Sequence, residues 1–221
     1  MKTGIVVVNK SDGMTSHDVV EYVRRKFNMR MVGHAGTLDP LATGVLIILL
    51  GKATKLFNKF VELDKAYNAT LLLGSVTDTA DIEGSVIKRL SYTHVTAEKI
   101  EEAFKHFSGR IEQVPPMVSA IKINGRRLYQ LARKGIEVPR QSRSVHIHSL
   151  KLVLFSSPEV KFYLECSKGT YVRQLAQDVG EFLGCGACIF QIQRTKVGPF
   201  LIDEAVTLDE LNENHIRQWE I

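Results

Sequence analysis

The segment Gly33-His-Ala-Gly-Thr-Leu-Asp-Pro-Leu-Ala-Thr-Gly44 is where this chain could do chemistry. It carries one carboxylate, Asp39, among turn-formers: the glycines permit sharp turns, and Pro40 restricts the backbone of the residue before it. A carboxylate held on such a loop, between a helix and a buried strand, can serve beside a cleft as nucleophile or base. The same pattern also suits a turn in which Asp39 merely bonds neighbouring amides, as aspartates before proline often do. Residue types and spacing leave both readings open.

Cys185-Gly-Ala-Cys188 has metal or redox spacing. A structural zinc site needs four ligands, and no second Cys-x-x-Cys or His pair accompanies this one. His146 and His148 alternate in a strand-like run and so point the same way. With Cys166, the three cysteines make no disulfide framework. Packed, reduced thiols are expected, with no metal and no other cofactor. The longest apolar stretch, Val45 to Leu50, is far short of the ~20 residues of a membrane span, and no signal peptide is visible. The expected location is the cytoplasm.

The formal net charge is +5. Seven basic residues stand between Lys122 and Arg143 against one acid, Glu137, so this segment exceeds the surplus of the whole chain. Arg24-Arg25-Lys26 with Arg30 form a second cluster. Charge runs are usually solvated faces. Two separated basic segments in an otherwise balanced chain suit a surface that follows phosphates at least as well.

These groups need elements to position them. Ile5 to Val8 reads as a buried strand, and Ser16 can cap a helix with Val19, Val20, Val23 and Phe27 inward. Met29 to Thr43 reads as a loop, Val45 to Leu50 as a strand apolar on both faces, and Lys55 to Phe60 as a helix. Tyr67 to Leu73 is a strand leading into the polar loop Thr77 to Asp81, whose acids miss the EF-hand ligand positions. Thr96 caps a helix with Ile100, Ala103, Phe104 and Phe107 inward, stopped by Gly109. Val118 to Ile123 is a strand ending in the turn signal Asn124-Gly125, with a short basic helix from Arg127 to Lys134. Val145 to Phe155, Val160 to Cys166 and Ile189 to Val197 are strands, and Thr170 begins a helix that Gly184 ends. Thr207-Leu-Asp-Glu210 is a capping box for a short C-terminal helix. Without strict βαβ alternation the expected class is α+β: a large, mostly antiparallel mixed sheet flanked by helices.

Gly33 to Gly44 resembles the catalytic motif of the TruB family of tRNA pseudouridine synthases, including its Gly-His-x-Gly-Thr-Leu-Asp-Pro core. Other motifs of that family follow in order over nearly the whole chain. They are Lys10-x-x-Gly13-x-Thr15-Ser16, Gly51-Lys-Ala-Thr-Lys55 and Asp64-Lys-Ala-Tyr67, then Gln113-Val-Pro-Pro116 with Ser119-Ala120. Gly125-x-x-Leu128-Tyr129-x-x-Ala132-Arg133-x-Gly135, Ser167-Lys-Gly-Thr-Tyr-Val-Arg173 and Leu183-Gly-Cys-Gly-Ala187 complete the set. Ser11 and Val118 depart from it, standing where a proline and an aromatic residue are usual.

The resemblance implies the pseudouridine synthase fold, with an RNA-contacting thumb insertion at about 115–143 carrying Arg126, Arg127 and Arg133. It implies Asp39 as the catalytic aspartate, Arg173 as its ion-pair partner, and Tyr67 stacking on the target uracil. Tyr171 and Ile192 would line the base pocket, His34 would support RNA with its base extruded, and Lys55 would contact phosphate or active site. The implied partner is the T stem-loop of tRNA, modified at uridine 55, with the enzyme acting as a monomer and needing no protein partner. Many relatives continue into a C-terminal RNA-binding PUA domain; residues 1–221 are expected to be the catalytic domain without it. The competing readings are a guide-RNA-directed synthase acting on ribosomal RNA and a non-catalytic module that grips the tRNA elbow.

Overall fold

In the computed structural model, which describes residues 2–119, 121–123, 125–132 and 134–219, the first apolar run becomes strand β1 (Gly4–Lys10). Helix α1 (Ser16–Phe27) follows, and its cap is Thr15 rather than Ser16. The Thr15 hydroxyl accepts from the Asp18 N–H, and the Asp18 carboxylate accepts from the Thr15 N–H, which closes a capping box. The Thr15 hydroxyl also donates to the Asp18 carboxylate, and that bond, with the one from the Thr15 N–H, holds the carboxyl below its usual range. Ser16 is thereby released for a different partner, Leu38. Val19, Val20, Val23 and Phe27 are buried, as their spacing predicts.

The stretch expected to be a loop contains a strand, β2 (Val32–Ala35), which pairs antiparallel with the second half of β3 (Thr43–Leu50). β1 pairs antiparallel along its whole length with Gly44 to Leu50 of β3. A 3-10 turn (Gly51–Leu56) and the short helix α2 (Phe57–Val61) lead to β4 (Lys65–Leu73).

The chain divides into two units, Met1–Asn68 with Ile192–Ile221, and Ala69–Gln191. In the second, β5 (Ser75–Thr77) and β6 (Val86–Arg89) form a small antiparallel pair. Thr96 caps α3 (Ala97–His106), which buries Ile100, Ala103 and Phe104. Phe107 lies past the helix end, half-buried against the rings of His106 and Phe182. After β7 (Gly109–Gln113), the expected strand from Val118 shrinks to the hairpin of β8 (Lys122–Ile123) and β9 (Arg126–Arg127). Helix α4 (Leu128–Ala132) comes next, then the long pair β10 (Arg143–Ser156) and β11 (Glu159–Cys166). β10 pairs on its other side with β7, and Phe104 of α3 packs on Phe162 of β11. Helix α5 (Val172–Phe182) starts after Tyr171, not at Thr170, whose hydroxyl bonds the Ser167 carbonyl instead.

β12 (Ala187–Val197) and β13 (Phe200–Leu201) return the chain to the first unit. β12 meets β3 in parallel register at Gln193 and Arg194, a parallel pair in an otherwise mostly antiparallel arrangement. The mixed sheet expected from the sequence is present.

The C-terminal capping box starts no α-helix. Thr207 and Glu210 bond through their side chains, and one backbone turn closes at Leu211. The backbone on both sides of that turn goes to the open edge of β1: Val206, before it, exchanges bonds with Val7 and Asn9, and Arg217, after it, with Ile5. Covering an edge strand satisfies groups that a short helix would leave to water. Val206, Leu208 and Leu211 join the apolar cluster of α1 with Val6, Val8, Leu46, Ile48 and Leu50, and Ile216 packs against it.

Candidate active site

The Asp39 loop is built from both ends. It leaves β2 at Ala35, turns at Gly36 (φ 86°), closes on itself where the Ala42 N–H donates to the Asp39 carbonyl, and enters β3 at Thr43. Asp39 is half-buried. Ser16, at the start of α1, accepts from the Leu38 N–H at 2.8 Å and donates to its carbonyl at 3.0 Å. The Gly13 N–H donates to the Pro40 carbonyl.

Two fully buried cations complete this frame. Lys10, at the end of β1, donates to the carbonyls of Ser11, Met14 and Pro40 at 2.6–3.0 Å. Arg194, on β12, donates from Nε to the Val45 carbonyl at 2.7 Å, from Nη2 to Gly36 at 3.1 Å and from Nη1 to Thr37 at 3.5 Å. Gly44 (φ 99°) lets β3 come this close to β12, since a Cβ there would collide with the Arg194 carbonyl. A loop this heavily tied presents its carboxylate from a fixed backbone, as a nucleophile or base requires.

In the same unit His34 is half-buried on β2 opposite Ile48, and Tyr67 on β4 is buried. Ile192 packs against the α1 cluster, and its carbonyl accepts from the Thr43 hydroxyl at the exit of the Asp39 loop. Lys55 is exposed on the 3-10 turn.

The second unit holds Tyr171 and Arg173 at the start of α5. Gln113, itself buried, reads the Tyr171 backbone twice: its amide nitrogen donates to the Tyr171 carbonyl (3.1 Å) and its oxygen accepts the Tyr171 N–H (2.8 Å). Arg173 is buried, not an exposed helix-start arginine. It donates to the carbonyls of Thr79 and Val118 at 2.8 Å each and lies 3.4 Å from the buried carboxylate of Asp81. Asp81 also accepts from the Thr79 hydroxyl and the Glu83 N–H, and its segment is strapped to Ile189 of β12. A buried arginine needs such acceptors.

Arg126 is exposed on β9; Arg127 is placed there by its backbone, and Arg133 lies outside the described residues. Arg140 is structural: it donates to the Pro115 carbonyl and pairs with Glu137. Those contacts help shape a concavity of about 340 Å³ lined by Pro115, Ile121, Leu128, Pro139, Arg140 and Arg143. Cys185 and Cys188 are buried, and burial raises both thiols. Cys188, further raised by the charge of Asp81, stands at about 11, which leaves almost no thiolate at neutral pH. Among the described residues no cluster of three or more His, Cys, Asp or Glu side chains is placed to hold a metal ion. No helix among them is long and apolar enough to cross a membrane.

Residues 24–172 match the family model of the TruB family pseudouridylate synthase N-terminal domain, and residues 173–220 match that of the tRNA pseudouridylate synthase B C-terminal domain. The chain belongs to the TruB family of pseudouridylate synthases. It is 52% identical to tRNA pseudouridine synthase B of Geotalea uraniireducens, over 94% of this chain and 67% of that protein. It is 44% identical to tRNA pseudouridine synthase B of Clostridium tetani, over 98% of this chain and 75% of the relative. Among solved structures, a Cbf5–Nop10–Gar1 complex has a chain that superposes with a TM-score of 0.74 at 30% identity, over 94% of this chain and 53% of that one. An H/ACA RNP bound to a substrate RNA containing 2'-deoxyuridine follows at 0.70 and 27%. The chain spans about half the length of these solved chains.

Several of these buried polar residues, in each of the two units, carry no mark in the sequence. Asp81 lies in a polar loop with no local sign of its partner, 92 residues from its arginine. Arg194 sat in a strand-like run where nothing marks a buried cation. Gln113 and Lys10 fell inside family motifs, but their roles as backbone clamps needed the fold.

Proposed function

We propose that this TruB family protein is a tRNA pseudouridine synthase that isomerises uridine 55 in the T loop, with Asp39 as its catalytic carboxylate. The observation that carries the reading is the Asp39 loop: a family catalytic motif whose backbone is tied down on both sides of one carboxylate. The identity of 44–52% to proteins named tRNA pseudouridine synthase B supports tRNA as the substrate class. The Cbf5–Nop10–Gar1 and H/ACA RNP chains are less similar, at 27–30% identity.

The reaction breaks the bond from ribose C1' to uracil N1 and forms one from C1' to C5. The C5 hydrogen leaves as a proton and N1 gains one, so no net oxidation occurs. A stacked uracil is out of reach, so the base must be turned out of the loop and held. In this reading Arg173 is the ion-pair partner of Asp39, and Asp81 holds Arg173 in place. Tyr67 is the platform under the uracil, Tyr171 and Ile192 line its pocket, His34 supports the opened loop, and Lys55, Arg126, Arg127 and Arg133 meet phosphates. The enzyme acts as a monomer without a protein partner.

Release of tritium from 5-tritiated uridine in a T stem-loop transcript tests the reading directly. Wild type is expected to release one equivalent at the position of uridine 55. Asp39→Asn keeps the shape and removes the charge, so RNA binding should persist while turnover falls at least ~10³-fold, roughly 4 kcal/mol of barrier. Turnover within tenfold of wild type removes Asp39 from the role.

A further inference from the structure

We propose that Arg194 is a positioning residue for catalysis: its guanidinium fixes the two ends of the Asp39 loop against each other and so sets where the carboxylate stands. The inference rests on the role of Asp39 proposed above.

One planar group reaches both sides of the loop. Nη2 and Nη1 take the carbonyls of Gly36 and Thr37, before Asp39, while Nε takes the carbonyl of Val45, after it. The fork geometry of a guanidinium fixes the angle between those bonds, so the separation of the loop ends is set by a rigid template. The backbone carrying that template is fixed as well, since Arg194 is in register with Gly44 and their main chains touch. Lys10 also reaches the loop from β1, but at one carbonyl only, Pro40. Its other acceptors, Ser11 and Met14, lie outside the loop, so it does not span the loop's two ends.

Stability alone does not call for an arginine here. Arg194 is 2% exposed, and well-packed apolar residues often replace buried charges at no loss of stability. What the arginine adds is one loop conformation. Small displacements of a reacting group, on the order of 1 Å, can cost roughly 10²-fold in rate.

The test is Arg194→Lys, which keeps the charge and loses the fork, read by single-turnover tritium release, RNA affinity and thermal midpoint. Gly36→Ala accompanies it: at φ 86° an alanine is strained, so the loop moves while Arg194 stays intact. Both variants should bind the stem-loop within about threefold of wild type and release tritium roughly 10- to 100-fold more slowly at saturating enzyme. A merely structural arginine would lower the midpoint and leave the rate of the folded enzyme unchanged; a rate within threefold of wild type for folded Arg194→Lys overturns the proposal. Failure of both variants to fold would make the clamp a requirement of folding and would overturn it too. Asp39→Asn is run beside them. If Asp39→Asn turns over like wild type, the role of Asp39 falls and this inference with it. If Asp39→Asn is dead and Arg194→Lys is normal, this inference falls alone.

Discussion

Tyr67 is buried on β4, which suits two different duties. As plain core its ring only packs, and its loss costs stability. As the platform under the uracil its ring stacks on the base, and its hydroxyl can join in proton transfer. Tyr67→Phe and Tyr67→Leu separate these. If the ring alone holds the base, single-turnover rates should keep the order wild type, Phe, Leu, with Phe much nearer wild type. If the hydroxyl moves a proton, Phe should fall almost as far as Leu. Normal turnover in a folded Leu variant would return Tyr67 to the core. Residue by residue, the sequence singles out the groups proposed for chemistry more readily than the buried groups that hold the backbone. Asp39 stands in a motif, whereas Asp81 and Arg194 act through partners 92 and 149–158 positions away, and no local pattern encodes such distances.

At the scale of elements, periodicity located α1, α3 and β3 because each buries one continuous apolar set. It failed at β2, where Gly33, His34 and Ala35 give no alternation and the strand exists because the second half of β3 offers it an edge. It failed again at Thr207 to Glu210, where a genuine capping signal was overridden by the open edge of β1. Helix α5 carries a group whose ionisation works against the fold. Burial raises the carboxyl of Asp178, a hydrogen bond from Gln174 opposes this, and the charge of Glu181 adds to it. A carboxyl raised in the folded state favours folding below its unfolded value and loses that contribution as pH rises through the folded one. At neutral pH the ionised Asp178 is therefore a cost. Asp178→Asn keeps an acceptor for Gln174 and removes the charge, so its thermal midpoint should exceed that of wild type at pH 7. The two should converge near pH 3, where both side chains are neutral; a lower midpoint at pH 7 would show that the carboxylate is matched after all.

For the molecule as the RNA-binding body proposed above, the question is which of its cations would meet phosphate. The sequence could count seven between Lys122 and Arg143 but could not sort them. Arg140 is committed to Pro115 and Glu137, whereas Arg126 and Arg143 are exposed. Each phosphate neutralised contributes roughly −0.7 to −0.9 to the slope of log affinity against log salt. Binding of the T stem-loop should therefore weaken steeply with salt. Arg126→Ala with Arg143→Ala should make the slope shallower by about 1.4 to 1.8 if each meets one phosphate. Arg140→Ala should act differently: it leaves the Pro115 carbonyl without its donor, so the thermal midpoint should fall while the slope barely moves. Titrations at four or five salt concentrations, with the midpoints of all three proteins, distinguish these effects. A slope that changes with Arg140 and not with the exposed pair would mean that the roles of these arginines are reversed. A slope unmoved by any of them would place the RNA on other cations, with Arg24, Arg25, Lys26 and Arg30 next to be substituted.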